Sequence, residues 1–227
     1  MNTRSITIAA FTALLTAVTL GGSIWGFIFL GGPNSVTRLH VIRSDNIIVN
    51  LIPMLTVFLC AGGLWGLGIA RLMNADAKSV VKACALSWTT TVFAFVTVIF
   101  ILASFFRGLS RINFLPIFPH SRHYNFLLVF VPIIGIASAI NGYVVANKLG
   151  FHERKKSVGL YTGLAASLGF LAVGLILFFS FGWEVGYHII GRSGMLKILL
   201  FCSIGAALAG GMAMGWMLEK SRIRMDS

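Results

Sequence analysis

Residues 47 to 70, IIVNLIPMLTVFLCAGGLWGLGIA, run without a charge and end at Arg71. At 1.5 Å per residue this stretch reaches about 36 Å, enough to cross a hydrocarbon core of about 30 Å with some tilt. In lipid no water satisfies a stray backbone group, so only a helix or a closed barrel can span. The apolar pattern is continuous rather than alternating, which predicts a helix. Five further uncharged runs, at about 5–30, 83–106, 125–147, 158–182 and 198–218, repeat the pattern. The chain therefore reads as an all-α integral membrane protein, a bundle of six transmembrane helices in a single membrane domain over 1–227.

A charged share of 11% and a mean hydropathy of +0.91 agree with that reading, since soluble domains carry roughly 25% charged residues. The net charge of +12 would suggest nucleic acid in a soluble chain. Here the basic residues are spread over every loop and both termini, with no basic helix and no aromatic RNA-binding motif, so no nucleic-acid partner is expected. The partner they fit is the lipid bilayer. Lys and Arg are more numerous on the side holding Arg4, the loops 71–82 and 148–157 and the C-terminus. The other side has Arg38, Arg43, Arg107, Arg111, Arg122, Arg192 and Lys197. By the positive-inside rule both termini face the cytoplasm, and the expected home is a prokaryotic plasma (inner) membrane. No A-x-A site interrupts the first run, which reads as an uncleaved helix. Cys60, Cys84 and Cys202 lie inside uncharged runs without CxxC spacing and suggest neither metal nor redox chemistry.

Small residues recur at i, i+4 spacing: Ala9, Ala13, Ala17 and Gly21; Gly62, Gly66 and Ala70; Gly159, Gly163 and Ser167; Gly205, Ala209 and Ala213. Such stripes let helix backbones approach closely in lipid. They are expected to pack within the bundle first, and to offer faces for other membrane subunits second. Ser87, Trp88 and Thr89 to Thr91 open the third run; threonines bonded to their own i−4 carbonyls, beside a tryptophan at headgroup level, are the plain expectation, and a polar lining for a cavity is the lesser one. Trp183, Tyr187 and His188 read as an outer aromatic belt. Spans two and four share a plan of proline, glycines and basic stop, with Pro53 answered by Pro132 and Gly63 by Gly142, and span six shares its glycine pair, Gly210 and Gly211, and its basic tail. If ancestral, the repeats are parallel, about an axis along the membrane normal.

No Asp, Glu, Lys, Arg or His lies well inside a span, although such residues are the usual mark of proton relays and ion coupling. Neither H-E-x-x-H, G-x-S-x-G nor a P-loop occurs, so no enzyme activity and no cofactor are expected. His120 and His123 form an H-x-x-H with no carboxylate or cysteine nearby, and are read as solvated or headgroup-facing rather than as metal ligands. Asn50 and Asn141 are the two amides within spans, and each shares its helix with a proline, Pro53 or Pro132, that frees the carbonyl four residues before it. Interhelical hydrogen bonding is the plainer expectation for the two amides; read as lying in the outer halves of spans two and four, Asn50, Pro53, Pro132 and Asn141 also predict an uncharged ligand-binding site. It would be approached from outside beneath the apolar loop segment Phe114 to Pro119.

No motif assigns the chain to a family. In architecture alone, the six helices, internal termini and alanine-striped first helix resemble the substrate-binding membrane subunits of energy-coupling-factor transporters. The leading expectation is a non-catalytic protein of transport, a small permease or the membrane subunit of one, for an uncharged or anionic solute. An accessory subunit of a larger membrane complex is the competing class, and a membrane enzyme without a recognisable motif the third. A transporter needs a polar cavity at depth, whereas a packing subunit needs a broad smooth face toward lipid.

Overall fold

The computed structural model describes residues 3–30, 47–108, 122–181 and 194–225, with side chains chiefly over 3–23, 55–94, 130–180 and 198–223. These residues form six helices: α1 Thr3–Leu30, α2 Ile47–Met73, α3 Ala77–Gly108, α4 Arg122–Lys148, α5 Lys155–Phe181 and α6 Gly194–Met225. Among the described residues there is no strand, and five helices, all but α3, are long and apolar enough to cross a membrane. The described residues are all helical, and their apolar helices make the chain an integral membrane protein. Several helices outrun the uncharged stretches that predict them: α3 begins before Lys78 and Lys82, and α6 continues through Glu219, Lys220 and Arg222. A charge marks where hydrocarbon ends, whereas a helix stops only where its backbone is capped.

Two of those caps match. The Ala75 N–H donates to the Ala70 carbonyl at 2.9 Å, and the Phe151 N–H donates to the Ala146 carbonyl at 2.9 Å. Each bond closes a Schellman turn whose left-handed residue is Asn74 (φ 51°) or Gly150 (φ 85°). Asp76 then caps α3, accepting the backbone N–H of Ser79 at 3.1 Å and of Lys78 at 3.3 Å. Gly66 with Gly142, Ala70 with Ala146 and Asn74 with Gly150 share one separation, which differs from that of Pro53 and Pro132. Gly66 and Gly142 also do the same work, each meeting the next helix closely. Gly63 has only the Val81 side chain near it, at 3.8 Å. The hairpins α2–α3 and α4–α5 thus correspond through their glycine contacts and turns, not through their prolines.

Each helix packs against the next in sequence, and α6 returns against α1, so the bundle is a closed ring. Large apolar side chains such as Leu14, Val18, Leu64, Ile136, Leu168 and Phe179 point outward, where lipid tails solvate them as well as a core would. At one end Ile69, Ala70, Val80, Val145, Ala146, Val158 and Leu218 pack into an apolar plug. That end also carries Arg4, Arg71, Lys78, Lys82, Lys148, Lys155, Lys156, Lys220 and Arg222, against Asp76, Glu153 and Glu219. A second cluster, centred on Phe130, Phe170 and Cys202, joins α4, α5 and α6 nearer the other end.

The small-residue stripes are used inside the ring. A Cβ added to Gly62 or Gly66 would lie 2.8 Å from Trp88 Cβ or Cys84 Cβ on α3, and one on Gly163 would lie 2.6 Å from the Gly135 carbonyl oxygen on α4. Gly169 and Gly205 meet across α5 and α6, and Gly211 and Gly215 lie against Ala13, Thr12 and Ala9 of α1. The contacts between α1 and α2 and between α3 and α4 are sparser. Among the described residues the glycine approaches skip the α3–α4 seam, and across α1–α2 they amount to Gly68 against the Leu15 side chain. Two bodies result: the hairpin α2–α3, and the array α4–α5–α6–α1.

Ala13 is 3% exposed and faces α6. Ala13→Leu is expected to cost about 1 to 3 kcal/mol through overpacking, while Ala10→Leu, on an exposed position, leaves thermal stability in detergent nearly unchanged. Equal melting temperatures would remove the close α1–α6 approach.

Candidate functional site

The two seams meet in a cavity of about 50 Å³ to which all six helices contribute. Thr16 comes from α1, Trp65 from α2, Trp88 from α3, Ser138 and Asn141 from α4, Thr162 from α5, and Ala206, Ala207, Gly210, Gly211 and Met214 from α6. Glycine and alanine on α6 leave the space; longer side chains there would fill it. By helix rise Trp65 and Trp88 lie about 9 Å inside Arg71 and Lys82. The cavity therefore sits just above the plug at the basic end.

Two hydrogen bonds cross the seams at this level. The Trp65 indole N–H donates to Thr16 Oγ1 at 3.0 Å, bridging α2 and α1. The Ser87 hydroxyl donates to Asn141 Oδ1, bridging α3 and α4. Thr16 is free to accept because its own proton goes to the Thr12 carbonyl at 2.7 Å. Trp65 and Trp88 stand with ring centroids 5.6 Å apart, tilted by 41°. Trp88 is 6% exposed, and its indole nitrogen, fully buried, has no hydrogen-bond partner. Buried N–H groups nearly always have one. None of the lining side chains titrates near neutral pH.

The structure thus moves Trp88 from the headgroup level expected for it to the wall of the cavity. A tryptophan flanked by residues that clear space for a neighbouring helix packs inward, and Gly62 and Gly66 clear that space. The neighbouring threonines behave as expected: Thr89 and Thr90 donate to the Ala85 and Leu86 carbonyls at 2.8 Å each. Asn141 is at the cavity, but in the half of its helix nearer the basic end, about 10 Å from Lys148, whereas Asn50 lies about 31 Å from Arg71 by helix rise. The outer-half placement of Asn141 is therefore corrected, because α4 runs toward the basic end and Asn141 is near its close. Asn50 and Pro53 fall within α2, their side chains outside the described ones. Pro132 lies within α4 and is exposed on its outer surface. The neighbouring Val131 carbonyl accepts the Ser167 hydroxyl at 3.1 Å, which ties α4 to α5. The loop Phe114 to Pro119, His120, and the belt Trp183, Tyr187 and His188 lie outside the described residues, as does the His123 side chain. Among the described residues no three His, Cys, Asp or Glu side chains come together.

Sequence reasoning missed Trp65, Ser138 and Thr16, and held the lining of a cavity as only the lesser reading of Ser87 and Trp88. One signal was present: Trp65 lies between Gly62, Gly63, Gly66 and Gly68, inside an uncharged run. Comparison with known proteins finds no matching family model, no similar curated protein and no similar solved structure.

Proposed function

We propose that this chain is a small permease, or the membrane subunit of one, with six spans and both termini in the cytoplasm, that moves a small uncharged or anionic solute without chemical change. The observation that carries the reading is the cavity at the junction of two bodies that are each held internally by glycine contacts. Alternating access in transporters is commonly a rocking of one helix group against another around a fixed site. Here the hairpin α2–α3 is the group suited to move. Among the described residues its seams lack the backbone interlock found elsewhere in the ring, and their polar links at the cavity are the pairs Trp65–Thr16 and Ser87–Asn141. Both can exchange for bonds to a solute. Absence of a titratable lining group argues against acid–base catalysis. The stripes that could have met another subunit are occupied within the ring, which weighs against a packing role.

The direct test uses a variant with Cys60, Cys84 and Cys202 replaced by alanine. In that background Ser138→Cys is expected to react with a small water-soluble thiol reagent, and Leu168→Cys, 65% exposed toward lipid, is expected not to. An inert thiol at position 138 would remove the water-accessible cavity and the transport reading with it. Orientation is tested separately in intact cells with an impermeant reagent. Ser121→Cys should label and Ser79→Cys, exposed at the basic end, should not; the reverse pattern inverts the topology.

A further inference from the structure

Resting on the transport reading, we infer that Ile69, Val145 and Leu218, one side chain from each of three equivalent helix hairpins, form a hydrophobic gate that closes the cavity toward the basic end. The equivalence lies in how the glycines seat. A Cβ on Gly66 would meet the Cys84 side chain and the Val81 Cα; one on Gly142 would meet the Thr162 side chain and the Gly159 Cα; one on Gly215 would meet the Thr12 side chain and the Ala9 Cα. One turn away, Gly62 faces Trp88 and the Cys84 carbonyl as Gly211 faces Thr16 and the Thr12 carbonyl. Helix α6 therefore pairs with α1 as α2 does with α3 and α4 with α5. This third hairpin is held by the Arg4–Glu219 ion pair at 3.5 Å instead of a connecting turn. In the shared register Trp65, Asn141 and Met214 hold one position, and all three line the cavity. Four residues further, about 6 Å along each helix, the same register places Ile69, Val145 and Leu218.

That layer has what a gate needs. Its three side chains are 0%, 1% and 1% exposed and belong to one contiguous buried cluster with Val80 and Val158. Yet they stand only two or three residues inside Arg71, Lys148 and Lys220, where the bundle meets water. The cavity wall above them carries Thr16, Asn141 and Thr162, whereas the layer itself is aliphatic, and an aliphatic constriction excludes water and solute by dewetting. The layer also straddles the two bodies. Ile69 and Val80 ride on the hairpin α2–α3, while Val145, Val158 and Leu218 belong to the array α4–α5–α6–α1. A swing of the hairpin parts the layer without breaking a hydrogen bond between its side chains. The bonds that hold the hairpin, Trp65–Thr16 and Ser87–Asn141, lie one turn above at the cavity. A solute that replaces them frees the hairpin and so releases the gate.

The test uses sealed membrane vesicles carrying Ser138→Cys on the background without Cys60, Cys84 and Cys202. A small, charged, impermeant methanethiosulfonate is added on the side where Ser79→Cys labels, which defines the basic end whatever the topology. Modification at position 138 is expected to be slow from that side. Leu218→Asn, which nearly keeps the volume and wets the layer, should speed it roughly tenfold. Val145→Thr, isosteric, should speed it less, and decides the matter if Leu218→Asn fails to fold. The control replaces Cys202 by serine instead of alanine. That adds a polar atom to the buried cluster around Phe130 and Phe170, which joins α4, α5 and α6 and crosses neither loose seam, and should leave the rate unchanged. A parent rate from the basic side equal to that in detergent overturns the gate, as do rates unaltered by both gate variants or raised equally by Cys202→Ser. Labelling in detergent keeps the two failures apart. A reactive thiol at position 138 that ignores Leu218→Asn and Val145→Thr sinks the gate and spares the transport reading, while an inert one sinks both.

Discussion

Gly211→Leu is expected to open the ring between α1 and α6. A Cβ at this position would sit 2.8 Å from Ala13 Cα, 2.8 Å from Thr16 Oγ1 and 2.9 Å from the Thr12 carbonyl oxygen. Two of those neighbours are backbone, so no rotamer change relieves the clash and the helices must separate. Overpacking of this kind typically costs about 1 to 3 kcal/mol, and the rigid neighbours put Gly211 at the top of that range or above it. The separation also displaces Thr16, which holds Trp65 across the α1–α2 seam, so the cavity is lost with the stability. Gly22 is the control, since a Cβ there meets nothing within 4 Å. Gly22→Ala is expected to be neutral or to gain about 0.5 kcal/mol from helix propensity. Melting temperatures in one detergent check the pair, and a Gly211→Leu protein as stable as the wild type would mean that α1 does not close the ring.

Arg222→Ala should be the most damaging removal of a charge among the described residues. Glu219, with its side chain 1% exposed, accepts two hydrogen bonds from the Arg222 guanidinium, at 2.9 and 3.0 Å, and has Arg4 at 3.5 Å from the start of α1. Without Arg222 the buried carboxylate keeps, among the described residues, Arg4, which is 56% exposed and screened by solvent. Breaking a buried pair costs about 3 to 5 kcal/mol when the surviving charge has no other partner; with Arg4 remaining, about 2 to 4 kcal/mol is expected. Glu219→Gln should be milder, because both arginines it releases reach water. Thermal unfolding of the two variants checks the order, and a Glu219→Gln protein less stable than Arg222→Ala would reverse the account of which charge is trapped.

The legible part of this protein was what a single helix decides for itself. Uncharged length gave the helices, i, i+4 spacing gave the stripes by which Ala13 meets Gly211 and Gly163 meets the Gly135 carbonyl, and the i−4 bonds of Thr89 and Thr90 followed from residue type. Asn141 was singled out as an amide in lipid and read at the wrong depth, while the interhelical hydrogen bond expected of it is the one it makes to Ser87. Its partner Ser87 stands on a helix that touches α4 only across a sparse seam. A short hydroxyl among threonines carries no mark of which helix it will face.

Sequence by itself determined that the chain is helical, that it lies in a membrane, and which faces can approach closely, because each depends on hydration and sterics along one helix. Only the tertiary structure decided that the six helices close into a ring, that the stripes are consumed within it, and that Trp65 and Trp88 face one small cavity instead of the headgroups. The physical reason is the solvent. Lipid tails are as apolar as leucine, so burial does not tell an inward side chain from an outward one, and the order of the helices is set by backbone approach and a few interhelical hydrogen bonds. Those are pairwise properties, and a partner on another helix leaves no periodic trace in either sequence.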